Sequence, residues 1–158
     1  MLKVRSILGV AVVLAGFAGN APLEARQAAR TVTLTVTDPV GEKMSYSLKQ
    51  IVAKPGEKIK VRLVSMAQTP KIVMAHNFVL LKEGTNIKAF TDAAANARAT
   101  DYIPAAFKAS IIAQTAMAGP GESMEVTFTA PTKPGKYVYL CSFAGHWAAG
   151  MTGDLIVK

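Results

Sequence analysis

The chain has 158 residues, of which 18 are lysine or arginine and 10 are aspartate or glutamate, so its formal net charge is +8. This length, with 51% of the residues apolar, suits one domain built around a single buried core. Because no cluster of basic residues is interleaved with stacking aromatics, the positive charge does not predict nucleic-acid binding. The charge is compatible with a solvated basic surface, with an acidic protein partner and with association at an anionic membrane surface.

The N-terminus has the pattern of an export signal. Two basic residues precede an uncharged apolar run over residues 7–19, which is too short to span a bilayer as a helix. We predict a signal peptide over residues 1–21, with cleavage between residues 18 and 29 because small residues recur there, and a short linker over residues 22–30. The protein would then be exported to the periplasm, unless an uncleaved signal tethers it to the membrane.

Seven segments have the alternation or the short apolar run that is typical of β-strands. They lie at residues 31–36, 44–52, 58–64, 76–81, 125–129, 136–140 and 154–158. Turn signals rich in glycine and proline separate several of them, as at Pro55-Gly56. Many short strands separated in this way predict an all-β fold, a β-sandwich in which two sheets pack face to face.

Residues 84–115 interrupt the strand pattern. An alanine-rich stretch over residues 91–99 predicts a short helix with Thr91 as its N-cap. Pro104 ends this pattern, and residues 105–109 predict another turn. We expect a partly helical insertion that packs on the sandwich and takes no part in chemistry.

The chain has one cysteine and two histidines, and these three residues form one pattern with a methionine. Cys141, His146 and Met151 lie within one short loop, and His76 lies far upstream. A thiolate, two imidazoles and a thioether form the ligand set of a type 1 copper site for electron transfer. Zinc more often recruits further cysteines or a carboxylate, whereas calcium and magnesium prefer oxygen ligands. The pattern therefore predicts one copper ion.

Each of these residues also has an ordinary structural explanation. Cysteine is often a buried core residue, a single histidine is more often hydrogen-bonded than metal-bound, and methionine commonly fills cores. Exported domains seldom retain a free thiol, however, because an oxidising compartment exposes the thiol to disulfide exchange, from which metal binding protects it. The shared spacing favours the metal site over these separate explanations.

Two motifs resemble those of the cupredoxins, in particular the azurin and auracyanin group. One is the segment 74–77, Met-Ala-His-Asn, and the other is the loop 141–151, with four residues between its histidine and its methionine as in the auracyanin-type loop. The resemblance covers residues 31–158. It implies a Greek-key β-sandwich with a short helical flap around residues 84–115, and one type 1 copper ion.

The resemblance also implies a function, that of an exported blue copper protein that carries single electrons by cycling between Cu(II) and Cu(I). Its partners would be redox proteins such as cytochromes or other electron-transfer proteins, and it would be a monomer. The predicted site has no open coordination position and no serine–histidine–acid or paired-carboxylate arrangement beside it, so we predict no enzymatic activity. A periplasmic copper storage or delivery protein is the alternative, although the chain has none of the methionine-rich or Cys-x-x-Cys segments that delivery usually requires.

Residues beside the ligands acquire roles from the same resemblance. The resemblance implies a distant fifth ligand from the backbone carbonyl of residue 75, but azurin usually has glycine there and this chain has Ala75, so the sequence leaves that contact open. Asn77 would hydrogen-bond the backbone beside the cysteine and so hold the two ligand segments together. Phe143 and Trp147 flank the segment between the cysteine and the second histidine. One of them would exclude water, and Trp147 would lie either on an apolar rim used for electron exchange or in the core.

Overall fold

The computed structural model of the protein describes residues 28–38 and 44–158. The predicted signal peptide at residues 1–21 lies outside the described residues, as does most of the predicted linker at residues 22–30. Among the helices of the described part, none has the length and hydrophobicity that a membrane-spanning helix needs.

The described residues form eight β-strands, one α-helix and two 3₁₀ helices. The strands are β1 (Arg30–Val36), β2 (Gln50–Ala53), β3 (Lys58–Ser65), β4 (Val79–Leu81), β5 (Ile111–Gln114), β6 (Ser123–Thr129), β7 (Gly135–Leu140) and β8 (Thr152–Val157). The α-helix α1 (Ile87–Ala95) and the 3₁₀ helices Arg98–Thr100 and Ala105–Ser110 lie between β4 and β5. The second 3₁₀ helix confirms the turn predicted at residues 105–109.

The strands pair into two sheets. The smaller sheet has the order β1-β3-β6, and the larger has the order β2-β8-β7-β4-β5. β1 runs parallel to β3 and β2 runs parallel to β8, whereas the other strand pairs of the described part are antiparallel. Most neighbours within a sheet are distant in sequence, as in Greek-key arrangements. The predicted all-β sandwich is confirmed.

Alternating side chains build the core between the sheets. On β3, Ile59, Val61 and Leu63 are fully buried, while Lys58 and Arg62 beside them are exposed. Burying an aliphatic side chain of this size contributes roughly 1.5–3 kcal/mol. The strands β1, β3, β6, β7 and β8 differ from their predicted segments by no more than two residues at either end, because this period-two pattern is visible in the sequence.

The prediction of one strand over residues 44–52 is wrong before Gln50. β2 covers only Gln50–Ala53, and the residues before it hydrogen-bond two different neighbours. Ser47 N–H donates to a carbonyl of β1, whereas Met44 N–H donates to Ala149 in the loop between β7 and β8. Because these bonds lead to different parts of the fold, the segment joins no continuous strand ladder.

Two strands beside the insertion also differ from the prediction. β4 begins at Val79 rather than at residue 76, and His76 forms only an isolated bridge with Ala118. β5 is a strand where the sequence predicts only the insertion, and it pairs with β4 at the edge of the larger sheet. A register shift within β4 interrupts this pairing. The pairing of β4 with β5 depends on contacts between residues that are distant in sequence. The short segment of β5 therefore shows little of the period-two alternation by which a strand is recognised.

The helix of the insertion begins five residues before its predicted start. Its N-cap is Asn86, whose side-chain oxygen accepts an N–H of the first turn at 3.0 Å. The predicted N-cap, Thr91, lies inside the helix and its hydroxyl donates to a carbonyl of the preceding turn. This prediction is wrong because α1 is positioned by Phe90 and Ala94, which are buried in a second apolar cluster against the sandwich.

Candidate metal centre

The loop over residues 141–151 joins two neighbouring strands of the larger sheet. Cys141 directly follows β7, and the preceding Leu140 pairs with Thr152 at the start of β8. The N–H of Cys141 donates to the carbonyl of Met151 at 3.1 Å, which ties the two ends of the loop together. The first and last residues of the loop are therefore held by the sheet.

Backbone hydrogen bonds also fix the interior of this loop. The N–H of His146 donates to Phe143 O at 3.1 Å, and the N–H of Met151 donates to His146 O at 2.9 Å. Gly145 has a φ of 82°, a left-handed conformation that glycine adopts without steric cost and that lets the chain turn there. The side chains of Cys141, His146 and Met151 are buried.

His76 reaches the site from a distant part of the chain. An isolated antiparallel bridge, with N···O distances of 2.9 and 2.7 Å, holds its backbone to Ala118. Its side chain is only 1% exposed, and neither ring nitrogen has a hydrogen-bond partner among the described residues. A buried polar group without a partner costs about 1–3 kcal/mol. The imidazole is therefore placed to bind a ligand that the chain itself does not supply.

The structure brings the predicted cysteine and both predicted histidines together. One donor atom from each of His76, Cys141 and His146 lies within 4.8 Å of the others. The sulfur of Cys141 is 3.4 Å from Nδ1 of His146, and the centroids of the two imidazole rings are 4.9 Å apart. Because bonds to a metal ion are about 2.0–2.3 Å long, donor atoms that share one ion lie about 3–4.5 Å apart. The three side chains fit a single ion.

Burial determines the protonation of these three donors. It lowers the pKa of His76 to about 4, and burial together with the nearby His76 lowers the pKa of His146 to about 4. Both imidazoles are therefore neutral at pH 7, with a nitrogen lone pair available to a cation. Burial raises the pKa of the Cys141 thiol to about 12, although the N–H groups of Asn77 and Phe143 oppose this shift. A buried thiolate needs a cation beside it, and one sulfur with two imidazole nitrogens suits copper or zinc.

Two further candidate ligands lie in the same buried region. Met151 is 1% exposed, packs in the core cluster that contains Cys141, and hydrogen-bonds through its backbone to both Cys141 and His146. The carbonyl oxygen of Ala75 lies 4.0 Å from the Cys141 sulfur. A thioether is a soft, weak ligand, which suits the axial position of a copper site built on one cysteine and two histidines.

Asn77 links the His76 segment to the cysteine loop. Its Nδ2 donates to the hydroxyl of Ser142 at 2.8 Å, and its Oδ1 accepts the N–H of Ser142 at 2.9 Å. Both residues are buried, so these bonds connect the two ligand segments where water does not compete. The sequence suggests such a bridge for Asn77. In the sequence, the partner Ser142 is marked only by its position next to Cys141.

Aromatic rings pack around the second histidine. The centroid of Phe143 lies 4.5 Å from that of His146 and 4.6 Å from that of Tyr102, which the insertion contributes. Asp101 and Tyr102 both have left-handed backbone conformations, with φ of 52° and 59°. Trp147 is half-buried against the cluster that contains α1. The sequence does not single out Tyr102, because its approach to Phe143 depends on how the insertion folds back over the loop.

Comparison with known proteins gives one consistent group of relatives. The family model described as "Copper binding proteins, plastocyanin/azurin family" matches residues 32–158. Azurin of Achromobacter denitrificans is 40% identical over 115 residues, which are 71% of this chain and 76% of that protein. Auracyanin-A of Chloroflexus aurantiacus is 33% identical over 120 residues, 75% of this chain and 70% of that protein. The crystal structure of dithionite-reduced auracyanin from Roseiflexus castenholzii has a TM-score of 0.68 and 36% identity, and covers 84% of this chain and 99% of that one.

Proposed function

The chain belongs to the plastocyanin/azurin family of copper-binding proteins, and we propose that the ligands of its one type 1 copper ion are His76, Cys141, His146 and Met151. One observation carries this assignment. The single cysteine and both histidines of the chain have donor atoms within 4.8 Å of one another in a buried site. When bound, copper alternates between Cu(II) and Cu(I) and so carries one electron. The protein is a blue copper electron carrier.

In electron transfer, the role of the protein chain is to keep these donor atoms in place. The sheet holds both ends of the loop, Ala118 holds the backbone of His76, and the bridge between Asn77 and Ser142 joins the two segments. Cu(I) and Cu(II) favour different geometries, so donors that cannot rearrange limit the structural change that accompanies each transfer. Burial also keeps water away from the sulfur of Cys141.

The surface beside His76 suits contact with a redox partner protein. Ile72 and Val73 are 71% and 60% exposed, and they lie on the turn that leads into His76. These two neighbouring side chains would supply the apolar contact that a docking surface uses. We propose that a cytochrome or another electron-transfer protein docks here, because contact at this surface would bring its redox centre close to the copper ligands.

We propose that residues 1–21 direct export to the periplasm and that residues 31–158 form the mature, monomeric copper-binding domain. The apolar run at residues 7–19 supports export, and the start of the family match at residue 32 supports the domain boundary. The single cysteine is also consistent with export, because a thiolate bound to copper is protected from oxidation and disulfide exchange.

We further propose that the protein transforms no substrate and does not serve mainly to store or deliver copper. The three candidate ligands His76, Cys141 and His146 are buried, and the backbone of each is hydrogen-bonded. Transfer of the ion to another protein would therefore require the site to open. A copper ion that exchanges slowly suits a permanent redox centre better than cargo.

Optical and electron-paramagnetic spectra of the copper-loaded protein test the proposal. We expect an intense visible band from thiolate-to-copper charge transfer and a reversible redox couple. Cys141→Ser should abolish the band, whereas Met66→Leu, at an exposed methionine, should leave it unchanged. A Cys141→Ser variant that keeps the band would refute the ligand assignment. Rapid loss of copper from the wild-type protein to a modest chelator would instead favour storage or delivery.

A further inference from the structure

Tyr46 is a buried residue that neither the ligand set nor the resemblance to known families accounts for. It lies in the segment before β2, and its hydroxyl donates to the backbone carbonyl of Asn77 at 2.5 Å. Its ring packs 5.4 Å from that of Tyr139, within the core cluster that also contains Cys141. A phenol in a core normally has a hydrogen-bond partner, and here the partner is the residue that follows His76.

Tyr46 binds the carbonyl of Asn77, and Asn77 acts on the cysteine loop through both its side chain and its backbone. The side chain of Asn77 makes both hydrogen bonds to Ser142, and its backbone N–H opposes the rise that burial causes in the pKa of the Cys141 thiol. The carbonyl of Asn77 and the N–H of Phe78 belong to one peptide unit. This N–H donates to the hydroxyl of Thr115 at 3.0 Å. The peptide that follows Asn77 is therefore held from both sides, with the tyrosine hydroxyl on its carbonyl.

The segment that carries Tyr46 also forms hydrogen bonds with the loop over residues 141–151. The N–H of Met44 donates to Ala149 O at 3.0 Å. The ammonium group of Lys49 donates to Gly150 O at 2.8 Å. Both acceptors lie in the loop that ends at the predicted methionine ligand. Residues 44–49 thus contact the His76 segment through one phenol and the 141–151 loop through backbone and lysine contacts.

We propose that Tyr46 is a positioning residue of the copper site, which sets the placement of the His76–Asn77 segment against the cysteine loop through its bond to the Asn77 carbonyl. This inference rests on the proposed ligand set. Without the hydroxyl, the Asn77 carbonyl would be a buried acceptor with no partner among the described residues. The segment would then relax, which would loosen the bridge to Ser142 and weaken the contact between the Asn77 N–H and the cysteine sulfur.

The experiment compares Tyr46→Phe with Tyr137→Phe. The second variant is a matched control, because the Tyr137 hydroxyl also donates to a backbone carbonyl, that of Lys133 at 2.8 Å, near the opposite end of β7 from the cysteine. In metal-free protein we would measure amide hydrogen exchange at Phe78 and Ser142. In copper-loaded protein we would measure the rate at which EDTA removes Cu(II), the reduction potential and the visible band.

We expect faster exchange at both amides in Tyr46→Phe alone. We also expect EDTA to remove copper about 10-fold faster, since residues that orient metal ligands typically affect metal binding by about 10–100-fold. The reduction potential should fall, because the Asn77 N–H stabilises negative charge on the cysteine sulfur and its displacement would leave more electron density there, which favours Cu(II). The control variant should match the wild type in copper release, potential and band.

Two results would overturn the inference while leaving the proposed function intact. In one, Tyr46→Phe has wild-type amide exchange, copper release and potential. In the other, both variants change these quantities equally, which would indicate a general loss of stability. A wild-type protein without the thiolate-to-copper band would refute the proposed function itself, and the inference would fail with it. Faster amide exchange without any change in copper release or potential is a third result that would overturn the inference and leave the proposed function intact.

Discussion

Replacing Asn77 by alanine tests whether its bridge to Ser142 holds the two ligand segments together. The change removes two buried hydrogen bonds, of 2.8 and 2.9 Å, and leaves the N–H and the hydroxyl of Ser142 without these partners. Each buried polar group left unpaired costs about 1–3 kcal/mol. We therefore expect the free energy of unfolding of the metal-free protein to fall by about 2–6 kcal/mol. For a domain of this size that is a decrease in Tm of roughly 5–30 °C.

Thermal unfolding followed by circular dichroism measures this loss, and EDTA competition measures the effect on copper. We expect Asn77→Ala to lose copper about 10–100-fold faster than the wild type, because the bridge orients the segments that carry the ligands. The matched control is Asn96→Ala. The side-chain amide of Asn96 donates to Asp92 O at 3.1 Å on the surface, where water can replace it, so its loss should cost less than about 1 kcal/mol.

A double variant with Ser142→Ala isolates the contribution of the bridge. If Asn77 and Ser142 act through their mutual hydrogen bonds, the double variant should lose less stability than the sum of the single losses, by about 1 kcal/mol or more. Strictly additive losses would refute the reasoning. So would an Asn77→Ala protein that unfolds at the wild-type temperature and releases copper at the wild-type rate.

Two further variants test other parts of the structure. Met151→Leu should still bind copper but should raise the reduction potential, because leucine removes the weak axial thioether, whereas Met66→Leu at an exposed methionine should not. Cyclic voltammetry measures both, and an unchanged potential in the first variant would remove Met151 from the ligand set. Gly153→Ala should lower the free energy of unfolding by about 1–3 kcal/mol, because the added methyl group would overlap the buried ring of Tyr139. Urea unfolding checks this expectation, and wild-type stability would show that the ring can move aside.

Residues whose signal is local could be recognised from the sequence. The alternation on β3 between Ile59, Val61 and Leu63 and their exposed neighbours depends only on the pleat of a strand, so the position of the strand follows from the order of the residues. The candidate copper ligands could be recognised for a similar reason, because donor atoms are defined by residue type and the chain has few residues of those types. The loop spacing from Cys141 to Met151 is local as well.

Features that depend on contacts between distant residues required the tertiary structure. α1 begins at Ile87 rather than near Thr91 because its position depends on which face packs against the sandwich. Alanine content alone does not reveal that face. β5 is a strand because β4 lies beside it, and its own four residues carry too little pattern to be recognised.

The same distinction applies to the copper site. The sequence by itself determined which atoms could bind the ion, since that depends on the chemistry of the side chains. The tertiary structure alone decided that His76 meets the 141–151 loop, that Ser142 is the partner of Asn77, and that the phenol of Tyr46 holds the Asn77 carbonyl. The residues that these contacts join lie at least 31 positions apart in the chain. Their geometry comes from how two sheets pack, which no local pattern encodes.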